Sequence, residues 1–133
     1  MNKVEAVISQ IDNIDNLNIV QFDFSGISLK MMSLDLNENT KVGQKVMLIV
    51  KATNILVAKD FEGMISFANQ LKGKIENIEN GKLLSCIDVL ANGVDFQSII
   101  TEASSRRMNL KKDEEITILI KSSDLSILEV IND

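Results

Sequence analysis

Val4-Glu5-Ala6-Val7-Ile8-Ser9-Gln10-Ile11-Asp12 returns as Leu71-Lys72-Gly73-Lys74-Ile75-Glu76-Asn77-Ile78-Glu79, and Val46-Met47-Leu48-Ile49-Val50-Lys51-Ala52-Thr53-Asn54-Ile55 returns as Ile116-Thr117-Ile118-Leu119-Ile120-Lys121-Ser122-Ser123-Asp124-Leu125. The step from Val4 to Leu71 is 67 residues and that from Val46 to Ile116 is 70. One strand-rich unit therefore stands twice in tandem, its second copy a few residues longer between strands. A duplicated small β unit without catalytic residues reads as a device for building sites between copies, not as an enzyme.

Working outward, period-two or continuous apolar runs at 4–11, 17–24, 27–32, 43–50 and 54–58 predict five strands in the first copy. The second copy repeats them at 70–78, 82–91, 94–100, 115–121 and 125–131, with hairpin signals at Asn80-Gly81 and Asn92-Gly93. After its third strand, Thr101-Glu102-Ala103-Ser104-Ser105-Arg106-Arg107 has a hydroxyl cap, an acidic first position and basic closing residues, which predicts a short helix. The first copy has only Ser33-Leu34-Asp35-Leu36-Asn37-Glu38-Asn39-Thr40 there, a shorter turn. The expected fold is all-β: two tandem five-stranded OB-like barrels, 1–61 and 62–133, with a short helix or turn after the third strand. Units of about 65 residues are marginal alone, so a fused pair is expected. The joint Lys59-Asp60-Phe61-Glu62-Gly63-Met64-Ile65-Ser66-Phe67-Ala68 is too apolar for a free linker and is expected to pack on the barrels or continue as a strand into the neighbouring unit.

Composition narrows the function. A net charge of −5 with 14 scattered basic residues, no Trp and no Tyr argues against a nucleic-acid groove. There is no His, which removes Ser-His and Cys-His catalysis and His-ligated metals. The one cysteine, Cys86, lies in an alternating run and is expected to be a small core residue. Carboxylates such as Asp12, Asp15, Glu76 and Glu79 fall at turns or on polar strand faces. Met1-Asn2-Lys3-Val4 enters a strand pattern at once, and no signal peptide or apolar run of about 18 residues is present. A cytoplasmic location without membrane contact is the expectation.

Ile65-Ser66-Phe67-Ala68-Asn69-Gln70-Leu71-Lys72-Gly73-Lys74 resembles the opening of the molybdate-binding TOBE units of molbindins and of the ligand-sensing half of molybdate-responsive regulators. Those units begin Ser-Ala-Arg-Asn-Gln-Leu, with Gly one residue further on. Ile120-Lys121-Ser122-Ser123-Asp124 and Thr101-Glu102-Ala103-Ser104 extend the match, which covers about 66–131 well and about 2–58 more weakly. The resemblance implies a five-stranded OB-like barrel that exchanges strands with its partner and binds tetrahedral molybdate or tungstate between units, with no direct protein–metal ligand and no covalent cofactor.

Carried over by position, Ser66 supplies a hydroxyl and its N–H, Lys121 the positive charge, Ser122 a further donor, and Thr101 with Ser104 a capped turn aimed at the anion. Lys51, Ala52 and Ser33 are the first copy's equivalents of Lys121, Ser122 and Thr101; that copy lacks the Ser-containing prefix, so its site is expected to be poorer or absent. Ala68 stands where the family has Arg, so one cation is missing unless Lys72, Lys74 or a partner chain compensates. Asn69 and Gly73 read as backbone determinants. The residue types suit the chemistry, since a dianion leaving water needs hydrogen-bond donors and partial charge compensation.

The expected role is oxyanion binding for storage, homeostasis or sensing, by a homodimer or larger homo-oligomer. It has no DNA-binding element of its own, and a regulator or transporter is a candidate partner. The rival reading is an OB-type module that binds protein or single-stranded nucleic acid and has lost the oxyanion site; the latter predicts affinity falling linearly with log salt.

Overall fold

The computed structural model describes residues 1–132 and contains ten strands. They are β1 (Asn2–Ile14), β2 (Leu17–Phe24), β3 (Ile27–Ser33), β4 (Lys45–Val50), β5 (Ile55–Ala58), β6 (Asn69–Asn80), β7 (Leu84–Ala91), β8 (Val94–Thr101), β9 (Glu115–Ile120) and β10 (Ser126–Asn132). Helix α1 (Glu102–Arg107) follows β8, and 3-10 turns at Ala52–Asn54 and Ser122–Asp124 follow β4 and β9. Every strand expected from apolar alternation is present, and the helix occurs in the second copy alone.

The two sheets do not follow the chain in order. One has the order β10-β4-β1-β2-β3 and the other β5-β9-β6-β7-β8. Each copy therefore gives its fifth strand to the other copy's sheet, β10 pairing with β4 and β5 with β9, both antiparallel. A 3-10 turn at the end of β4 and of β9 redirects the chain into this exchange. The repeats meet at the joint in sequence, but the sheets interleave across it.

Alternation fills the core. Val4, Ala6 and Ile8 of β1, Val20, Phe22 and Phe24 of β2, and their counterparts Leu71, Ile75, Ile87, Val89 and Ala91 are buried. One apolar cluster runs through both copies, as a fused pair requires. Across the seam the rings of Phe24 and Phe96 meet edge to face at 6.4 Å and 81°. Asn92 Nδ2 donates to the Phe24 carbonyl at 2.7 Å.

The duplication extends to irregular details. Bulges interrupt the β1–β2 ladder between Ile8 and Gln10 and the β6–β7 ladder between Ile75 and Asn77, which are again 67 residues apart. Tight turns at Ser25-Gly26 and Asn92-Gly93 hold both central residues at positive φ. The Asn80-Gly81 signal leads to something else. Gly81 is not in the left-handed region, its N–H donates to the Leu84 carbonyl at 2.8 Å, and three residues separate β6 from β7.

The barrels close differently. In the second, β5 packs against β8 and Ser98 Oγ donates to the Ile55 carbonyl at 2.6 Å. In the first, the position matching Ser98 is Met31, which has no donor, and a cavity of about 430 Å³ lies between β3 and β10. The joint is only partly packed: Phe61 and Phe67 are half-buried, while residues 62–66 are exposed. Lys59 pins its start, donating from Nζ to the carbonyls of Met108 and Asn109 at 3.0 and 3.1 Å and pairing with Glu114 at 2.9 Å. Cys86 sits half-buried on the outer face of β7, because alternation turns Ser85, Ile87 and Val89 inward. Burial, with the Asp88 carboxylate nearby, pushes its thiol up, away from reactivity.

Gly73 lets β6 approach β7 closely: a Cβ there meets the Leu90 carbonyl oxygen and Val89 Cγ1, both at 2.7 Å. Its counterpart in the first copy is Ala6. Urea unfolding of Gly73→Ala is expected to show a loss of about 1–3 kcal/mol, the usual cost of overpacking.

The Glu114 carboxyl is held below its usual range, first by its hydrogen bond to Lys59, against a smaller opposing effect of burial. A lowered carboxylate pKa contributes stability above the ordinary value of about 4.3, and that contribution is lost as pH falls through the native value. Glu114→Gln is thus expected to be less stable than the parent at pH 7, with the difference closing below about pH 4 in melts across that range.

Candidate functional site

Strand exchange leaves β3 and β8 as free edges, and each is met by an asparagine from the other copy. Asn69, which opens β6 and is 0% exposed, donates from Nδ2 to the Lys30 carbonyl at 2.9 Å and accepts from the Lys30 N–H at 2.7 Å. Asn2, which opens β1 and is 5% exposed, does the same to Gln97 of β8, at 2.9 and 2.7 Å. A primary amide carries one donor and one acceptor at the spacing of a strand edge, so a single side chain satisfies both backbone groups. The pairs Asn2/Asn69 and Lys30/Gln97 both obey the 67-residue offset. These clamps define two pseudo-equivalent junctions between the copies.

A lysine flanks each junction. The β6–β9 ladder ends on Asn69 opposite Ile120, so Ala68 and Lys121 face each other one step beyond it. The β1–β4 ladder ends on Asn2 opposite Val50, leaving Met1 and Lys51 in the same relation. Lys121 at φ −68°, ψ 138° and Lys51 at φ −68°, ψ 140° share one conformation. Their carbonyls accept from Asp124 and Asn54, each at 2.9 Å, to close the following turns. Both side chains are exposed, and among the described residues neither joins an ion pair.

The turns reach across the seam: Ser122–Asp124 packs on β3 and Ala52–Asn54 on β8. Of the expected site residues, Lys121 and Ser122 stand at the Asn69 junction, Ser122 half-buried at the turn, while Ser66 lies three residues before Asn69 in the exposed part of the joint. Lys51 and Ala52 belong to the Asn2 junction. Thr101 ends β8, the strand that packs on the turn after Lys51. Ser33, at the end of β3, lines the same cavity as Ser123.

Thr101 and Ser104 are engaged with each other. Thr101 Oγ1 accepts the Ser104 N–H at 3.1 Å and shares a hydrogen bond with Ser104 Oγ at 2.9 Å, while Arg107 donates to Ser104 Oγ at 3.3 Å. Asn2 and Lys30 carry no local sequence signal. Extending the repeat alignment two residues upstream of Val4 and Leu71 pairs Asn2 with Asn69 and would have marked both. Among the described residues no group of three His, Cys, Asp or Glu side chains is placed to hold a metal ion. The arrangement suits an anion met by ammonium and hydroxyl groups at a seam.

A family model described as the TOBE domain matches residues 65–127. Molybdenum-pterin-binding protein 1 of Clostridium pasteurianum is 37% identical over 65 residues, covering 48% of this chain and 96% of that protein. A probable molybdenum-pterin-binding protein of Haemophilus influenzae is 31% identical over 64 residues, covering 47% of this chain and 93% of its own length. These relatives are about one repeat long. The cytoplasmic molybdate-binding protein ModG, crystallised with molybdate bound, superposes with a TM-score of 0.89 at 21% identity over 95% of this chain and 94% of that one. That likeness establishes the tandem OB-like fold.

The clamps predict separable effects. Asn69→Ala and Asn2→Ala are each expected to cost about 1–3 kcal/mol, the penalty for orphaning paired backbone groups. Hydrogen exchange locates them: protection falls at the Lys30 amide in the first variant and at the Gln97 amide in the second.

Proposed function

Because the chain belongs with the molybdenum-pterin-binding proteins in the TOBE domain family, we propose that it binds a tetrahedral oxyanion, molybdate or tungstate, at the junctions between its units 1–61 and 62–133. Binding without chemistry is its whole mechanism. The observation that carries this reading is Lys121, exposed, without an ion pair among the described residues, and held beside Ala68 at the seam with Ser122 following. An ammonium group in that position attracts a dianion, and the hydroxyls of Ser66 and Ser122 supply donors to its oxygens.

The Lys51 junction is the weaker version: Ala52 replaces the serine. Thr101 and Ser104 serve that junction once their mutual hydrogen bond opens toward the anion. Selection against sulfate rests on cavity size and donor spacing, since charge and shape are shared. The relatives' binding names favour storage, homeostasis or sensing over catalysis. The cytoplasm suits that role, and among the described residues no helix is long and apolar enough to cross a membrane. Exposed Leu128, Val130 and Ile131 along the β10 edge favour a homodimer or larger assembly, to which a regulator or transporter would dock.

Calorimetric titration with molybdate, tungstate and sulfate at fixed ionic strength tests the reading. Saturable binding of the first two is expected, with sulfate silent and Lys121→Ala about tenfold weaker or more, as loss of a charge-assisted contact implies. Absence of heat and of thermal stabilisation with every anion would sink it.

A further inference from the structure

We propose that Lys30, from the first copy, supplies the second cation of the Lys121 junction, so that the two ammonium groups meet the dianion from opposite sides of the seam. The inference rests on the oxyanion reading above and assigns a residue to that site. Three observations carry it. The Asn69 amide holds both backbone polar groups of Lys30, which fixes Lys30 against the residue that follows Ala68. Ala68 is in turn the neighbour of Lys121 across the end of the β6–β9 ladder. The turn that begins after Lys121 packs on β3, the strand that carries Lys30. Lys30 and Lys121 thus belong to different copies and different sheets but border one junction.

The side chain of Lys30 is free for this role. Leu29 and Met31 on either side are buried, so alternation turns Lys30 outward, and it is exposed. Among the described residues it has no carboxylate partner, although the chain carries an excess of acidic residues. At the other junction the pseudo-equivalent residue is Gln97, clamped identically by Asn2 but uncharged. One junction therefore has Lys30, Lys121 and Ser122, and the other Gln97, Lys51 and Ala52. Two positive charges balance a dianion and one does not, so the Lys30 junction fills first.

Titration of Lys30→Ala with molybdate, beside the parent, Lys82→Ala and the double variant Lys30→Ala/Ala68→Arg, tests the assignment. Lys30→Ala is expected to bind about tenfold more weakly or worse in the tight phase, the effect of losing one charge-assisted contact. Lys82→Ala, exposed in the loop past the far end of β6 from Asn69, is expected to change affinity less than about twofold, and the double variant to regain most of the loss through a cation beside Lys121. Melting of ligand-free Lys30→Ala is expected to match the parent, because Asn69 holds backbone atoms that alanine retains. Parent-like binding by Lys30→Ala overturns the proposal, as does an equal loss in Lys82→Ala, which would reveal only a general field. A parent chain that binds no oxyanion defeats the functional reading itself, a different result.

Discussion

Everything in this molecule follows from what its sheet edges require. An open five-stranded sheet exposes unpaired N–H and C=O groups along both borders, and a unit of some 65 residues has little apolar surface with which to offset that cost. Here β4 and β9 are each covered by the last strand of the other copy. Asn69 and Asn2 then cap the opposite edges at Lys30 and Gln97. Neither copy is complete alone, which is why a single apolar cluster spans both and Phe24 reaches Phe96. At the two clamped junctions backbone and side-chain groups of both copies converge.

Much of this architecture is legible in the amino-acid order, because alternation reports strands whatever their neighbours. All ten strands, the helix after β8 and the close approach at Gly73 can be read from residues alone. Strand exchange cannot. β5 and β10 each present an apolar face, and such a face fits either sheet, so pattern does not choose the partner. Two further misreadings have local causes. Asn80-Gly81 has the composition of a tight hairpin, but a three-residue connection lets Gly81 keep an ordinary φ. Cys86 lies in an alternating run whose inward phase belongs to its neighbours.

The site was harder to read than the fold, for the same physical reason. Exchange sends the turn after Lys121 to β3 and the turn after Lys51 to β8, so each junction draws on both copies. Lys30 and Asn69 lie 39 residues apart in the chain, and Asn2 and Gln97 lie 95 apart. No local motif joins residues at such separations. Only the repeat offset, applied to side chains that looked unremarkable one at a time, links the two clamps.

Tandem fusion also changes what a seam can become. Two identical one-unit chains related by a two-fold axis must form identical junctions, so any substitution alters both together. Once the copies share a chain, each junction varies independently while the clamps keep the geometry constant. Such divergence is visible here: Asn2 and Asn69 are the same residue in the same role, whereas Gln97 stands where the other copy has Lys30, and Ala52 where it has Ser122. The clamping asparagines and the flanking lysines Lys51 and Lys121 are the same in both copies, while other residues around the junctions differ. A chain of this kind retains one fold and one assembly rule while its two junctions are free to diverge.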